Sequence, residues 1–294
     1  MKRNWIKKLI WKLAKCLSDK TFVKCHYYFR FGKSLNLKNP KTFNEKLNWL
    51  KLNVHDPKQT DMVDKLKVKE IIKEELGEEY VVPLLGVWKN PEDIDFDQLP
   101  EKFVLKCNHN SNGLLICRDK SKIDRKEVVK AFKKSIRKNG YEYSREWPYK
   151  NVEPCVFAEE YLEDSTSKNL TVYKFFTFDG QPKIIQVIQD DKTDSETIDY
   201  FDCEWKLLPL KQNFPNSKIP QEKPKKLTEM LEVAKKLSKG FPFLRVDLYE
   251  VSGKIYFSEF TFYSDTGMAK FEPEEWDNTL GDWINLEKVM DRKT

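Results

Sequence analysis

The chain predicts an α+β fold, and three observations carry that expectation. Residues 1 to about 78 are helical in pattern, the rest breaks into short apolar or alternating runs, and two further helical stretches separate those runs. In the first part, KTFNEKLNWLKL and DMVDKLKVKEIIKEELG repeat apolar residues at helical spacing. The second of these ends at Gly77, a residue that suits a helix C-cap. From Tyr80 onward YVVPLLGVW, KFVLKCN, GLLICR, CVFAEEYL, LTVYKFFTFDG, KIIQVIQ, FLRVDLYEV and KIYFSEFTF read as strands, with helices at about 125–138 and 223–239. Strands joined by short polar turns argue for antiparallel hairpins in layers, not for a doubly wound parallel sheet.

Composition narrows the chemistry. At 294 residues the chain can bury a large core as one domain or as two or three lobes. Cys16, Cys25, Cys107, Cys117, Cys155 and Cys203 form no C-x-x-C pair and follow no secretory leader. A disulfide framework and a zinc site are therefore not expected, and a reducing cytoplasm is the expected compartment. His26, His55 and His109 lie in unrelated segments, which leaves little material for a histidine metal centre or a Cys–His dyad. The net charge of +6, from 53 basic and 47 acidic residues, is too small an excess to indicate a nucleic-acid partner.

Where that charge sits is more informative. In residues 1–15, MKRNWIKKLIWKLAK, Trp5, Ile6, Leu9, Ile10 and Leu13 fall at helical spacing among six basic residues and no acid. Such a segment is too short to span a bilayer. Two readings stay open: a helix lying on an anionic membrane surface, and a first helix packing its stripe on the protein body.

Four segments can carry chemistry. In FVLKCNHNSNGLLIC a strand lysine, Lys106, runs into the polar loop Asn108–Gly113, whose N–H groups could face an anion. In FLRVDLYEVSGKIYFSEFTF a hairpin turns at Gly253; period two groups Arg245 with Asp247 on one strand and Glu259 with Thr261 on the other. A three-residue loop or a bulge brings Asp247 opposite Glu259, where two like charges suit a Mg²⁺ ion held against phosphate oxygens. A plain two-residue turn at Ser252-Gly253 instead sends the acids to opposite faces. The third segment is VFAEEYLED, a strand that ends in acids at Glu159 and Glu160. The fourth is the Asp64-Lys65 pair, expected to open a helix running to Leu76. Taken singly, the first, third and fourth read as an ordinary turn, a strand end and a helix start.

In this order the four segments resemble the ATP-grasp superfamily, whose members show DK before a V-P strand, a strand lysine before a phosphate-covering loop, E-x-x-L, then R-x-D and E-x-N on paired strands. Within it NPKTFNEKLNWLKL, LPEKFVLKCNHNS, YKFFTFDGQPK and RVDLYEVSGKIYFSEFTFY are similar to the branch linked with teichuronopeptide and other polysaccharide biosynthesis. The resemblance covers about residues 35 to 290. It implies an ATP-grasp fold: a helical region over 1–78, a smaller lobe over 79–163 with the covering loop, and a larger lobe over 164–294 with the Mg²⁺ hairpin, the two lobes gripping ATP.

The resemblance also implies roles. Lys65 and Lys106 would contact ATP phosphates under the loop, with Asn108, His109, Ser111 and Gly113 among its contacting residues. The backbone of Glu159, Glu160, Tyr161 and Leu162 would meet the adenine edge, and Lys174 would join the nucleotide contacts. Asp247 and Glu259, with Thr261 in the place of the family's Asn, would hold Mg²⁺, and Arg245 would stabilise an acyl-phosphate as it forms. Three positions depart from the pattern: Thr261 itself, Val172 where the branch has an acid before Tyr173-Lys174, and a covering loop with few glycines.

The expected activity is ATP-dependent ligation of a carboxylate, here a sugar acid or polysaccharide carboxylate, to an amine or amino acid, at the inner face of a membrane. Two alternatives are a glycan-processing transferase or kinase using the same nucleotide site, and a non-catalytic scaffold for polysaccharide assembly.

Overall fold

The computed structural model describes residues 16–163, 170–189 and 196–290, so the basic stretch 1–15 lies outside the described residues. Helix α1 (Asp19–Phe31) starts at Ser18, whose side chain accepts from the Thr21 N–H, and stops at Gly32 in the left-handed region. Helix α2 (Phe43–Asn53) opens with a reciprocal capping box between Thr42 and Glu45. Helix α3 (Pro57–Val63) ends just before Asp64, and α4 (Val68–Glu75) begins four residues after it, where a helix had been expected to open at Asp64-Lys65. The reason is the Asp64 carboxylate, which accepts from the N–H groups of Leu66 and Lys67 and so holds a turn between the two helices. Gly77 has φ 119°, not a left-handed cap, and Tyr80, expected to open a strand, instead ends a 3₁₀ turn over Glu78–Tyr80.

A four-stranded antiparallel sheet follows, from β1 (Leu84–Trp88), β2 (Phe103–Cys107), β3 (Leu114–Cys117) and β4 (Val156–Glu160), in the order β1-β4-β2-β3. Between β3 and β4 run α5 (Arg125–Ile136) and the short α6 (Gly140–Ser144). Its core is small and its own: Phe103, Leu105, Cys107, Val156 and Ala158 of the strands meet Phe132 of α5.

The larger sheet takes β5 (Val172–Phe178), β6 (Gln181–Gln189), β7 (Thr197–Phe201), β9 (Phe243–Val251) and β10 (Lys254–Thr261), in the order β10-β9-β5-β6-β7, all antiparallel. A two-stranded ribbon joins β8 (Lys211–Gln212) to β11 (Phe271–Glu272), and α7 (Leu227–Leu237), α8 (Glu275–Asp282) and α9 (Glu287–Met290) complete the described elements. Strand β7 was not expected, because Asp199 interrupts its apolar run. The main core gathers Phe175, Ile185, Val187, Leu244, Val246, Leu248 and Phe260 with Met230 and Ala234 of α7. Phe43 and Leu47 of α2 and Ile72 of α4 belong to this same core, so the helical region shares the packing of the large sheet.

Alternation leaves the opposite face of that sheet polar. Cross-strand partners run Glu259–Asp247, Asp247–Lys174, Lys174–Gln186 and Gln186–Tyr200, one polar row across all five strands.

Candidate functional site

The hairpin β9–β10 settles the register question in an instructive way. The turn is the two-residue Ser252-Gly253, both at positive φ (51° and 76°), as hairpin twist favours. Left regular, that turn would set Glu259 opposite Val246 on the core face. A bulge at Ser258 adds one residue to β10, and beyond it Glu259 stands opposite Asp247 and Thr261 opposite Arg245. Both carboxylates therefore share the polar face, as the bulge alternative required.

Three cations neutralise the acid pair. Arg245 donates from Nε to Asp247 Oδ1 and from Nη2 to Oδ2, each at 2.8 Å, and its Nη2 lies 3.6 Å from Glu259 Oε1. Lys65 Nζ is 3.4 Å from Glu259 Oε2 and Lys174 Nζ is 3.7 Å from Asp247 Oδ2. Burial works to raise the Glu259 carboxyl, but Lys65, Arg245 and Lys174 outweigh it and hold the group down to about 2. Against the same burial, Asp247 and Glu259 lift the Arg245 guanidinium above its ordinary range. Glu259 is thus ionised at neutral pH, and both acids face positive charge.

A second charge cluster faces them from the small sheet. Glu159 on β4 pairs with Lys106 on β2 and, at 3.0 Å, with Lys69 on α4. Lys69 also donates to the Val82 carbonyl at 2.7 Å. Burial opposes the Glu159 charge, yet the two ammonium groups keep its carboxyl below the ordinary range. For Lys69 burial wins, and its ammonium is pushed down. Lys69 went unnoticed in the sequence; it lies in the first turn of α4, while Lys65 sits in the turn that precedes that helix.

The loop after β2 is pinned at its start. Asn108 donates to the Glu153 carbonyl and accepts from the Cys155 N–H, and Asn108 and His109 are both buried. Asn110 Oδ1 accepts from the N–H groups of Asn112 and Gly113 and from Ser135 Oγ. The structure therefore does not bring Asn108 and His109 to the cleft; their side chains hold the loop's base, while Asn110, Ser111 and Gly113 reach the cleft wall. Thr261 also stays out of the lining, whereas Glu160, Tyr161, Leu162, Lys174, Arg245 and Asp247 are in it. Tyr249, which accepts from Ser258 Oγ, and Arg118 are further lining residues that sequence reasoning missed.

Between the two sheets these groups enclose a cleft of about 870 Å³. Lys65, Lys69, Lys106 and Arg245 offer the donors a polyphosphate needs, and Val68, Val81, Val82 and Phe157 offer apolar surface for a flat ring. The residues present fit a nucleotide. For a divalent cation the fit is leaner: no cluster of three His, Cys, Asp or Glu occurs among the described residues, so Asp247 and Glu259 would supply two hard oxygens and phosphate the remainder.

The sequence profile described as TupA-like ATPgrasp matches residues 45–285 of the chain. Among solved structures, the chain is similar to the D-alanine–D-alanine ligase from Bacillus anthracis complexed with ATP, at 18% identity and a TM-score of 0.47, over 87% of this chain and 76% of that one. Another structure of that ligase gives 18% identity and a TM-score of 0.45, over 86% and 72%. A RimK domain ATP-grasp protein from Sphaerobacter thermophilus gives 9% identity and 0.41, over 77% and 69%. No curated protein matches the chain.

Proposed function

Because the chain belongs to the TupA-like ATP-grasp family, we propose that it is an ATP-dependent ligase joining a carboxylate to an amine through an acyl-phosphate. The observation that best supports this is the facing of two charge clusters across one cleft: Arg245, Asp247, Glu259 and Lys65 on one side, Lys106, Glu159 and Lys69 on the other. In this reading the smaller sheet and larger sheet belong to two lobes, 79–163 and 164–294, and ATP lies between them. Lys65, Lys69 and Lys106 bind its phosphates, Asn110–Gly113 lie over them, and the backbone from Glu159 to Leu162 meets the adenine edge. Mg²⁺, when bound by Asp247 and Glu259, would neutralise charge on the phosphate oxygens.

The chain's own residues then divide the work. Lys174, 3.7 Å from Asp247, shares with Arg245 the balancing of that acid. A substrate carboxylate oxygen attacks the γ-phosphorus and ADP leaves. The amine then attacks the acyl carbon, phosphate departs with the C–O electrons, and the amine loses a proton. Arg245 is a fixed cation beside the oxygens where negative charge develops, the placement that lowers such barriers most. The resemblance to the polysaccharide branch favours a uronic or other sugar acid as the carboxylate and an amino acid or small amine as its partner, in the making of a capsule or cell-wall polymer.

No helix among the described residues is long and apolar enough to cross a membrane. The charge pattern of residues 1–15 supports peripheral attachment to an anionic inner membrane face, beside lipid-linked acceptors. ADP release, measured over a panel of uronic acids and amino acids, tests the ligase reading. A pair-dependent release supports it; tight ATP binding with no release for any pair would favour the scaffold.

A further inference from the structure

A second recess lies away from the nucleotide cleft, between α5 and the turn Pro91–Asp93. It is a shallow groove of about 730 Å³ with Ile94, Phe96 and Val129 on its floor. Arg125, Lys126, Lys130, Lys133, Lys134 and Arg137 line it, against the single acid Glu92. Some of these cations serve the fold. Arg125 pairs with Asp97, Lys130 with Glu127 and Lys133 with Glu92. Lys126, Lys134 and Arg137 have no carboxylate within ion-pair distance among the described residues. Cations near the end of α5 favour its dipole, but that effect needs one or two charges and no recess.

We propose that this groove binds an acidic glycan chain. Lipid and nucleic acid fit the recess less well. Ile94 and Phe96 are 7% and 5% exposed, so no apolar side chain stands out to enter a lipid interface. No exposed aromatic ring lines the groove to stack a base. A sugar chain brings repeated carboxylates for the rim and C–H faces for the apolar floor. Helix α5, at 12 residues, is about 18 Å long, enough for several sugar units to lie along it.

The inner face of α5 also touches the loop that lines the nucleotide cleft. Ser135, on the last turn of α5 between Lys134 and Arg137, donates from Oγ to Asn110 Oδ1 and accepts from Asn110 Nδ2, at 3.2 and 3.1 Å. The last turn of α5 thus stands against the loop that forms the cleft wall. Choosing a glycan among polyanions rests on the ligase reading; the groove's preference for anions does not.

The test uses the full chain and a polygalacturonate oligomer, without nucleotide or amine. Wild-type protein should bind the oligomer with an affinity that falls as salt rises. The double variant Lys134→Glu/Arg137→Glu, which breaks no ion pair, should bind about tenfold more weakly or worse. Its ATP affinity should match wild type, and its melting temperature should fall only by the few degrees that two acids at the end of α5 cost against the helix dipole and Glu92. Absence of oligomer binding at low salt, or equal binding by the variant, would overturn the proposal. So would anionic vesicles or single-stranded RNA binding more tightly with the same dependence on Lys134 and Arg137. If wild-type protein binds the oligomer but not ATP, the ligase reading fails and the groove stands.

Discussion

Replacing Glu159 by Gln leaves Lys69 and Lys106 facing each other across a carboxamide. Their side chains are 8% and 25% exposed, so water can screen Lys106 in part but Lys69 hardly at all. Removing one member of a buried charge cluster is worth about 3–5 kcal/mol, and the partial exposure of Lys106 argues for the lower end. At about 3 kcal/mol the melting temperature should drop by roughly 6–10 °C. The pH dependence is the sharper signature. In wild type the Glu159 carboxyl is held below its unfolded value of about 4.3, so its contribution is complete above that pH and is lost as pH falls through the folded value. In the variant, Lys69 keeps the burial that already lowers it and loses the carboxylate that opposed the shift. The unfolded chain then binds more protons than the folded one between the folded pKa of Lys69 and about 10.4, so stability must rise with pH, by at most about 1.4 kcal/mol per unit. Urea unfolding of both proteins from pH 6 to 9 measures this. A loss under about 1 kcal/mol, or parallel pH profiles in that range, would refute the electrostatic account of this cluster.

Five further outcomes are expected. Asp247→Asn and Glu259→Gln should each abolish Mg²⁺-dependent ADP formation while far-UV circular dichroism stays native; unchanged turnover in either would remove the metal role. Lys106→Ala should weaken ATP binding far more than Lys102→Ala, because Lys102 is half exposed and paired with Glu163 outside the phosphate end; equal affinities by calorimetry would count against Lys106. Deleting Ser258 removes the extra residue and still leaves Glu259 opposite Asp247, so ATP binding should survive, with at most about 2 kcal/mol lost. Duplicating Ser258 should instead turn Glu259 into the core and destabilise by about 3 kcal/mol or more, readable as a denaturant midpoint. Deleting residues 1–15 should abolish low-salt co-sedimentation with anionic vesicles and spare activity on a soluble acceptor; a large drop in melting temperature without any vesicle binding by intact protein would support core packing instead.

Much of the site was legible in local patterns, and the departures have physical causes. Seven of the eight predicted runs became strands with little change, and the first shortened at its start, because apolar alternation between turn residues is a local signal. The bulge could also have been read: the apolar phase runs through Ile255 and Phe257, then slips by one to Phe260 and Phe262, and Ser258 lies at the slip. What a single sequence hides is who meets whom. Lys69 and Glu159 are 90 residues apart in sequence, and nothing local announces that α4 and β4 converge. The loop residues Asn108 and His109 have the composition of an anion loop, yet their bonds to Glu153, Cys155 and Asn110 turn them inward. Polar side chains near a site hold backbone as often as ligand, and only the tertiary fold tells which.

The separation of the two cores has a consequence for how the molecule comes apart. The small sheet is packed by ten buried residues of its own, and the large sheet shares its packing with α2 and α4. The lysine and glutamate clusters that face each other across the cleft are among the links between these bodies. The empty protein can therefore open in stages, with amide protons of β2, β3 and β4 exchanging from a sub-globally unfolded state while those of β5 and β9 stay protected. A ligand touching both sheets couples the stages, so that the weaker body inherits the protection of the stronger one.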